Sequence, residues 1–214
     1  YAFWHSVINN TEKLCKLNYD TPSSINAKQM KKEKKKKKKK CGLLTLGFST
    51  FYLNRTNRSG IINAGVIGGV NQNGDWKIDA RFNKKDLINR IERVADYSSQ
   101  IEIFNCDAIN LTKSLKNLTS KALFYFDPPY YSKGRELYLN FYEPSDHESV
   151  ARNITKIKKH HWVVSYDDEK AIRQLYKNYR QSFYKLNYSA ANKPKGKEIM
   201  IFSDRLHIPK LKYG

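Results

Sequence analysis

The chain has 214 residues, with 40 lysines and arginines against 20 aspartates and glutamates, and its formal net charge is +20 at pH 7. This length suggests one domain with an insertion, or one and a half domains, and the charge favours a polyanionic partner. No apolar stretch approaches the roughly 20 residues of a membrane span, and the three scattered cysteines fit reduced cytoplasmic thiols better than a disulfide framework or a zinc site.

The first part of the chain divides into a helical segment and a turn-rich insertion. Apolar residues recur at helical spacing over residues 1–17, and Thr21-Pro22 breaks the pattern. The composition then shifts, first to a lysine-rich tract at residues 31–40 and later to glycine, asparagine and arginine. Asn73-Gly74 lies between apolar residues, as is typical of a hairpin turn. We interpret residues 23–84 as an insertion that carries specificity.

From residue 85 the pattern becomes regular. Helices are predicted at residues 87–95, 109–118, 145–159 and 167–179, and the third of these opens with a capping box at Ser145–Glu148. Strands are predicted at residues 101–104, 123–126, 162–165, 182–188 and 198–202. Because strands alternate with helices, we expect a three-layer α/β domain with a mostly parallel sheet and an antiparallel closing pair.

The most informative segment is the octet of residues 124–131, Phe-Tyr-Phe-Asp-Pro-Pro-Tyr-Tyr. Its apolar beginning is typical of a buried strand in a parallel sheet. Pro128 and Pro129 end that strand, because proline lacks the N–H group that a ladder needs. The strand therefore delivers Asp127, Tyr130 and Tyr131 to the crevice at its carboxyl end, where open α/β sheets bind ligands.

These residue types suit chemistry on the exocyclic amine of a nucleobase. Asp127 can accept a hydrogen bond from one amine proton, and the Pro128 carbonyl can accept one from the other. The base must leave the duplex first and loses its stacking there. Stacking on Tyr130 would restore roughly 1–3 kcal/mol of that stacking free energy. The alternative is an ordinary strand with a Pro-Pro turn. Asp-Pro-Pro alone would favour that alternative, whereas aromatic residues on both sides favour the catalytic interpretation.

The sequence Asp127-Pro128-Pro129-Tyr130 resembles the catalytic motif of amino-methyltransferases that use S-adenosylmethionine. Some RNA methyltransferases share this motif, so it indicates the cofactor better than the substrate. Other segments are similar to the Dam-like (D12 class) DNA adenine-N6 methyltransferases and occur in that family's order: Phe51–Ile61, Ile78–Lys84, Ser165–Asp167 and Glu198–Ser203. The resemblance extends over residues 1–22 and 45–205.

This resemblance implies a Rossmann-like, S-adenosylmethionine-dependent methyltransferase fold with an inserted target-recognition region. Residues 1–22 would be the remnant of an N-terminal cofactor-binding half, residues 23–84 the target-recognition region and residues 85–214 the catalytic core. The expected activity is methylation of adenine N6 in double-stranded DNA by base flipping, with restriction-modification as one cellular context. Asp127, Pro128, Pro129 and Tyr130 would form the catalytic motif.

Two acids are expected to bind the cofactor, Asp107 and Asp127. In the resembling family, an acid at the position of Asp107 accepts a hydrogen bond from the adenine amine of the cofactor. The alternative role for Asp107 is to cap the following helix. His160-His161 lacks a third ligand, so no metal site is expected.

A further set of residues is expected to contact nucleic acid: Arg55, Asn57, Arg58, Tyr131, Lys133, Arg135 and Tyr166. Arginine and asparagine suit base edges, and arginine also suits phosphates, although a solvated loop is the alternative for residues 55–58. Lys133 and Arg135 flank a glycine in a loop that could close over a flipped nucleotide. Tyr166 lines the base pocket or is an ordinary core residue. Arg81 and Lys84 are similar candidates for contact with nucleic acid, and an ordinary surface position is the alternative for both.

One part of the family pattern is missing, because none of the ten glycines forms the Gly-x-Gly turn that holds the cofactor's methionine end. We expect that segment to lie outside this chain, through truncation, disorder or a separate coding fragment. Two alternatives to a DNA adenine methyltransferase follow. One is an RNA or cytosine-N4 methyltransferase, and the other is a catalytically dead nucleic-acid-binding remnant.

The lysine tract holds nine lysines and one glutamate, so the remaining chain stays basic without it. We expect a solvated, disordered tract that adds salt-sensitive affinity for DNA. A second hypothesis is slippage of the reading frame on a poly-adenine run, which the codons of the gene would decide.

Overall fold

The computed structural model describes residues 1–21, 42–115, 121–132, 134, 141–186, 196–204 and 206–208. The chain forms two compact units, Tyr1–Asn105 and Cys106–Gly214. The lysine tract at residues 31–40 and the predicted site residues Lys133 and Arg135 lie outside the described residues.

The first unit is helical. Within residues 1–21 and 42–105, its helices are α1 (Ala2–Asn9), α2 (Thr11–Asp20), α3 (Leu43–Thr56) and α4 (Lys84–Ala95), with short 3-10 turns at Arg58–Gly60 and Ser98–Gln100. The Asn83 side chain accepts a hydrogen bond from the Asp86 N–H and caps α4, while Leu87 and Ile91 bury one face of that helix. The core also contains Val7, Leu14, Phe48, Phe51, Tyr52 and Leu53.

Helix α4 packs on α1 and α2 within this first unit. The boundary that we predicted at residue 85 therefore does not coincide with the boundary between the compact units. The roles assigned to residues 1–22, 23–84 and 85–214 stay predictions.

Residues 57–83 form an irregular loop that is fixed by amide side chains. Asn57 Nδ2 donates to the Ile62 carbonyl at 2.8 Å. Gln72 donates to the Ile67 carbonyl and accepts from the Ile78 N–H, both at 2.8 Å. The loop returns to the core through three buried side chains, those of Val66, Ile78 and Phe82.

The hairpin predicted around Asn73-Gly74 does not form. Gly68 and Gly69 have φ values of 81° and 77°, a left-handed conformation that glycine adopts freely, and the Gly74 N–H bonds to the Gly68 carbonyl. The strand predicted at residues 101–104 is also wrong. Among the described residues no strand pairs with this segment, and an extended segment without a partner has no ladder.

The second unit contains a four-stranded sheet in the order β1-β2-β4-β3, formed by β1 (Leu123–Phe126), β2 (His161–Asp167), β3 (Arg180–Leu186) and β4 (Gly196–Phe202). Strands β1 and β2 are parallel, whereas β4 runs antiparallel to both β2 and β3. The predicted antiparallel closing pair is confirmed. The described sheet is mixed rather than mostly parallel, and the three-layer Rossmann-like arrangement stays a prediction.

In the described part of the second unit, the sheet is accompanied by α5 (Ala108–Leu115), α6 (Pro144–Ile154) and α7 (Lys170–Leu175). Helix α6 begins one residue earlier than predicted, because Glu143 and Asp146 form the capping box and Pro144 takes the first helical position. It ends at Ile154 instead of Lys159. Helix α7 begins after Glu169 rather than after Asp167, and it ends at Leu175 instead of Tyr179.

The core of the second unit lies along β2 and β4. Its fully or almost fully buried side chains are those of Ile154, Trp162, Val164, Tyr166, Ile172, Tyr176, Ile199 and Ile201. Strand β1 is less covered, because Leu123 and Tyr125 are exposed and Phe124 and Phe126 are only partly buried. The residues that follow β1 therefore leave the sheet next to open space.

Candidate active site

Asp127 follows the last residue of β1, and its side chain is exposed. Pro128 and Pro129 remove two backbone donors at this point, whereas β2 continues to Asp167. A cavity of about 320 Å³ opens beside Asp127. Its walls are mostly apolar side chains of β1, α5 and α6, together with both prolines and Tyr142. The acid that the sequence singled out thus lies at an open edge, with room beside it.

The Asp127 carboxylate is held by the neighbouring strand. Ser165 Oγ of β2 lies 2.7 Å from Asp127 Oδ1. The Tyr125 hydroxyl lies 2.9 Å from the same serine oxygen. Ser165 is buried, so the rotamer of an exposed acid is constrained by a buried hydroxyl group.

Asp167, at the end of β2, holds the residues that follow the double proline. Its two carboxylate oxygens accept hydrogen bonds from the Tyr131 N–H at 2.8 Å and the Ser132 N–H at 2.9 Å. The Ser132 hydroxyl also donates to Glu169. The helix predicted over residues 167–179 would have Asp167 at its beginning. Instead, its side chain ties the loop after β1 to the end of β2, which explains why α7 begins later.

Tyr130 is anchored to β4. Its hydroxyl donates to Glu198 Oε1 at 2.9 Å, and Glu198 is only 3% exposed. The sequence analysis placed Glu198 in a family-like segment but did not select it as a site residue. The signal was present, because a carboxylate on the buried face of an apolar strand needs a partner.

An aromatic cluster lies behind the loop and centres on His147. Its ring centroid is 5.0 Å from that of Tyr131, 5.3 Å from that of Tyr142 and 5.5 Å from that of Tyr166. His147 Nδ1 lies 3.0 Å from the Tyr166 hydroxyl oxygen. Burial lowers the pKa of His147, and the negative charges of Asp167 and Asp146 oppose that shift. The sequence analysis did not anticipate this histidine as part of the site.

Tyr166 has no exposed surface, and burial raises the pKa of its hydroxyl group. It is therefore a core residue, the second of the two roles weighed for it, and the structure does not place it where DNA could reach it. Tyr131 is partly buried, and its ring belongs to the same cluster.

The family of the chain follows from a comparison with known families. The family model for the D12 class N6 adenine-specific DNA methyltransferases matches residues 2–191. The chain belongs to this family. Its members methylate the N6 amine of adenine in DNA, and the match includes the Asp127–Tyr130 motif. No curated protein matches the chain.

The two acids that we expect to bind the cofactor in this D12 class chain, Asp107 and Asp127, have different surroundings. Asp107 Oδ1 accepts hydrogen bonds from the Ile109 N–H at 2.9 Å and the Asn110 N–H at 3.3 Å, so Asp107 caps α5. Ala108 and Asp127 both line the cavity described above. Burial raises the pKa of Tyr142 at the cavity wall, and the charges of Asp107 and Asp146 raise it further.

Three residues of the first unit that we expect to contact DNA, Arg55, Asn57 and Arg58, differ in their environments. Asn57 is fully buried and donates to the Ile61 and Ile62 carbonyls at 3.2 and 2.8 Å, so it fixes the loop and is not available for a base edge. Arg58 is exposed. Arg55 is half-buried, with its guanidinium carbon 5.8 Å from the centre of the Phe51 ring.

Arg55 belongs to a group of like charges. Burial lowers the pKa of its guanidinium, and the nearby positive charges of Arg81 and Arg90 lower it further. Asp86 opposes this effect and forms an ion pair with Arg90 at 3.0 Å. The structure thus brings Arg81, a residue predicted from sequence, near Arg55, and it adds Arg90, which the sequence analysis missed because helix α4 showed only its apolar face.

None of the helices in the described ranges combines the length and hydropathy needed to cross a membrane. Within the same ranges, no group of three or more His, Cys, Asp or Glu side chains could hold a metal ion.

Proposed function

We propose that this chain is a site-specific DNA methyltransferase that extrudes an adenine from duplex DNA and methylates its N6 amine with S-adenosylmethionine. One observation carries the proposal. The carboxylate of Asp127 is exposed beside a cavity of about 320 Å³, at the end of β1, and the neighbouring strands hold the motif residues that follow it.

Asp127 and the Pro128 carbonyl orient the amine. The lone pair of an adenine amine is delocalised into the ring, so the nitrogen must turn toward tetrahedral geometry before it can form a bond. One amine proton is donated to Asp127 and the other to the Pro128 carbonyl, which directs the lone pair out of the ring plane. The nitrogen loses one proton as its new N–C bond forms, and Asp127 is placed to accept it.

Tyr130 supplies a surface for the extruded base. A base that leaves the duplex loses its stacking neighbours, and an aromatic ring restores roughly 1–3 kcal/mol of that interaction. The hydrogen bond from the Tyr130 hydroxyl to Glu198 limits rotation of the tyrosine side chain. The ring is then available in one orientation rather than several.

The residues beside the cavity fit the methyl donor. Apolar walls suit the flat ring of the adenosine part, and Asp107 provides a carboxylate near Ala108 of the cavity wall. S-adenosylmethionine supplies a methyl group on a sulfonium centre, which is reactive enough that no covalent enzyme intermediate is needed. Asp107 and Asp127 are the residues that we propose to hold it.

The basic residues of the first unit provide the electrostatic component of DNA binding. Arg55, Arg58 and Arg81 suit phosphates, and the net charge of +20 favours association with a polyanion. We also retain Tyr131, Lys133 and Arg135 as proposed nucleic-acid contacts.

The test measures the methylated product and a matched pair of variants. Duplex DNA is incubated with S-adenosylmethionine carrying a labelled methyl group and digested to nucleosides, and N6-methyldeoxyadenosine is the expected product. We expect Asp127→Ala to lower transfer by about 100- to 10,000-fold while duplex binding persists. Asp204→Ala removes an exposed acid of the same unit and leaves transfer unchanged.

Two results would overturn the proposal. Label in N4-methyldeoxycytidine would indicate a cytosine enzyme, and label in RNA but not in DNA would indicate an RNA methyltransferase. Transfer by Asp127→Ala at the rate of the unaltered chain would remove the role assigned to this acid.

A further inference from the structure

We infer that Ser165 is a positioning residue for Asp127, with Tyr125 behind it, and that this pair leaves Asp127 Oδ2 as the oxygen that meets the amine. The inference rests on the proposed function, because it assigns a task to residues that touch Asp127 and not to residues that touch DNA.

The direction of the two hydrogen bonds follows from the number of protons. An ionised carboxylate only accepts, so the single Ser165 hydroxyl proton must point to Asp127 Oδ1, 2.7 Å away. The Tyr125 hydroxyl, 2.9 Å from Ser165 Oγ, then donates to the serine oxygen. A chain of two bonds that point the same way strengthens each of them, because each donor is polarised by the next.

The rigidity of this arrangement comes from Ser165. It is 5% exposed and lies in β2, where it pairs with Met200 of β4. Asp127, by contrast, lies beyond the end of β1 and is exposed. A side chain at such a position samples several rotamers unless a fixed group selects one. The buried serine provides that fixed group, and the rotamer of Asp127 is set from the neighbouring strand.

The consequence concerns the second carboxylate oxygen. Within the described part of the chain, Ser165 is the only side chain that donates to Asp127, and it uses Oδ1. Oδ2 accepts no hydrogen bond from a side chain of the described residues and is therefore the oxygen left to accept from the amine. Because a misplacement of about 1 Å can cost about 100-fold in rate, a loose carboxylate would lower turnover by more than it weakens DNA binding.

The first measurement separates turnover from binding. We expect Ser165→Ala to lower kcat by about tenfold to 100-fold, with KM for S-adenosylmethionine unchanged and KM for DNA raised by less than about tenfold. Tyr125→Phe is the second variant. Tyr125 is 59% exposed, so loss of its hydroxyl group does not threaten the fold, and we expect a smaller decrease in the same direction.

A matched control lies in the same sheet. Ser203 is also buried, and its hydroxyl oxygen accepts a hydrogen bond from the Trp162 N–H, at the opposite end of β2 from Ser165. Ser203→Ala therefore removes a buried serine hydroxyl without touching Asp127. We expect kcat of this variant to equal that of the unaltered chain.

The second measurement needs no turnover. The full chain is titrated with a duplex that carries a mismatched adenine, and with the same duplex carrying purine, which lacks the amine. We expect the unaltered chain to favour adenine by about tenfold, the worth of one hydrogen bond to a charged group. Asp127→Ala leaves only the part of this preference that the Pro128 carbonyl provides, Ser165→Ala reduces the preference by less, and Ser203→Ala preserves it.

The outcomes distinguish the inference from the function on which it rests. A preference that falls in Asp127→Ala and persists undiminished in Ser165→Ala would overturn the inference and leave the proposed function standing. The absence of any preference in the unaltered chain would overturn both. Equal losses in Ser165→Ala and Ser203→Ala would assign the effect to general stability and would also overturn the inference.

Discussion

The loop of residues 57–83 in the first unit and the loop after β1 in the second unit are both held by side-chain hydrogen bonds, but over different distances in sequence. In the first unit, Asn54, Asn57 and Gln72 donate to carbonyls no more than six residues away. In the second unit, Asp167 and Glu198 accept from residues 35 to 68 positions away.

The difference shows that side-chain hydrogen bonds serve different purposes in the two loops. The Nδ2 groups of the amide side chains hold the first loop together, and the Asn57 side chain is fully buried within it, away from any base. In the second loop, residues of other strands provide the support, which leaves Asp127 exposed for chemistry. The hydrogen bonds of the first loop join residues close in sequence, whereas those of the second loop form only once the strands of the sheet are paired.

The largest effect is expected from removing the long-range support. Asp167→Ala removes the acceptor of two backbone N–H groups, and we expect methyl transfer to fall about 100-fold as the motif loosens. Hydrogen exchange at the Tyr131 and Ser132 amides should accelerate. Asp168→Ala is the control, because the Asp168 side chain pairs with Arg173 instead. Unchanged exchange in Asp167→Ala would show that the loop does not depend on β2.

Removing a local amide should affect stability more than chemistry. Asn57→Ala eliminates two buried hydrogen bonds, and we expect the free energy of unfolding to fall by about 2 kcal/mol in urea titrations. Asn73 lies in the same loop but is exposed, so Asn73→Ala should change stability little. Equal effects of the two substitutions would contradict the structural role of Asn57.

The sequence predicted these two regions only where the interacting residues lie close together along the chain. The octet at residues 124–131 was sufficient to predict a strand followed by an exposed acid, because the strand, the acid and the two prolines are neighbours in sequence. The partners Asp167 and Glu198 were not predicted as supports, because pairing across a sheet leaves no local pattern. Asn57 was misjudged because asparagine in a turn-rich segment looks the same whether it faces DNA or its own backbone.

Arg58, an exposed arginine of the first unit, should contribute to the salt dependence of DNA binding. We expect Arg58→Ala to reduce the slope of log K against log salt concentration by about 0.9, the value for one phosphate contact. Arg152 is exposed on α6 of the second unit, and Arg152→Ala should leave the slope unchanged. Parallel slopes for Arg58→Ala and the unaltered chain would assign Arg58 no phosphate.

The smallest effect concerns pH. Burial lowers the pKa of His147 in the folded chain, so the unfolded chain binds a proton more readily. The contribution of His147 to stability is therefore complete above about pH 6.5 and is lost as the pH falls below that value. Urea midpoints measured from pH 7.5 to 5.5 should decrease in the unaltered chain and decrease less in His147→Gln. Identical pH profiles would show that the imidazole is not the group that titrates.

Glu198, the residue on β4 that anchors Tyr130, is encoded 68 positions after it. A ribosome thus completes the Asp-Pro-Pro-Tyr sequence long before the glutamate that fixes its ring exists. Any premature stop codon between these two positions, such as one created by a frameshift, yields a protein that carries the signature and lacks its anchor. Detecting that signature in a gene fragment does not establish that an intact enzyme is made.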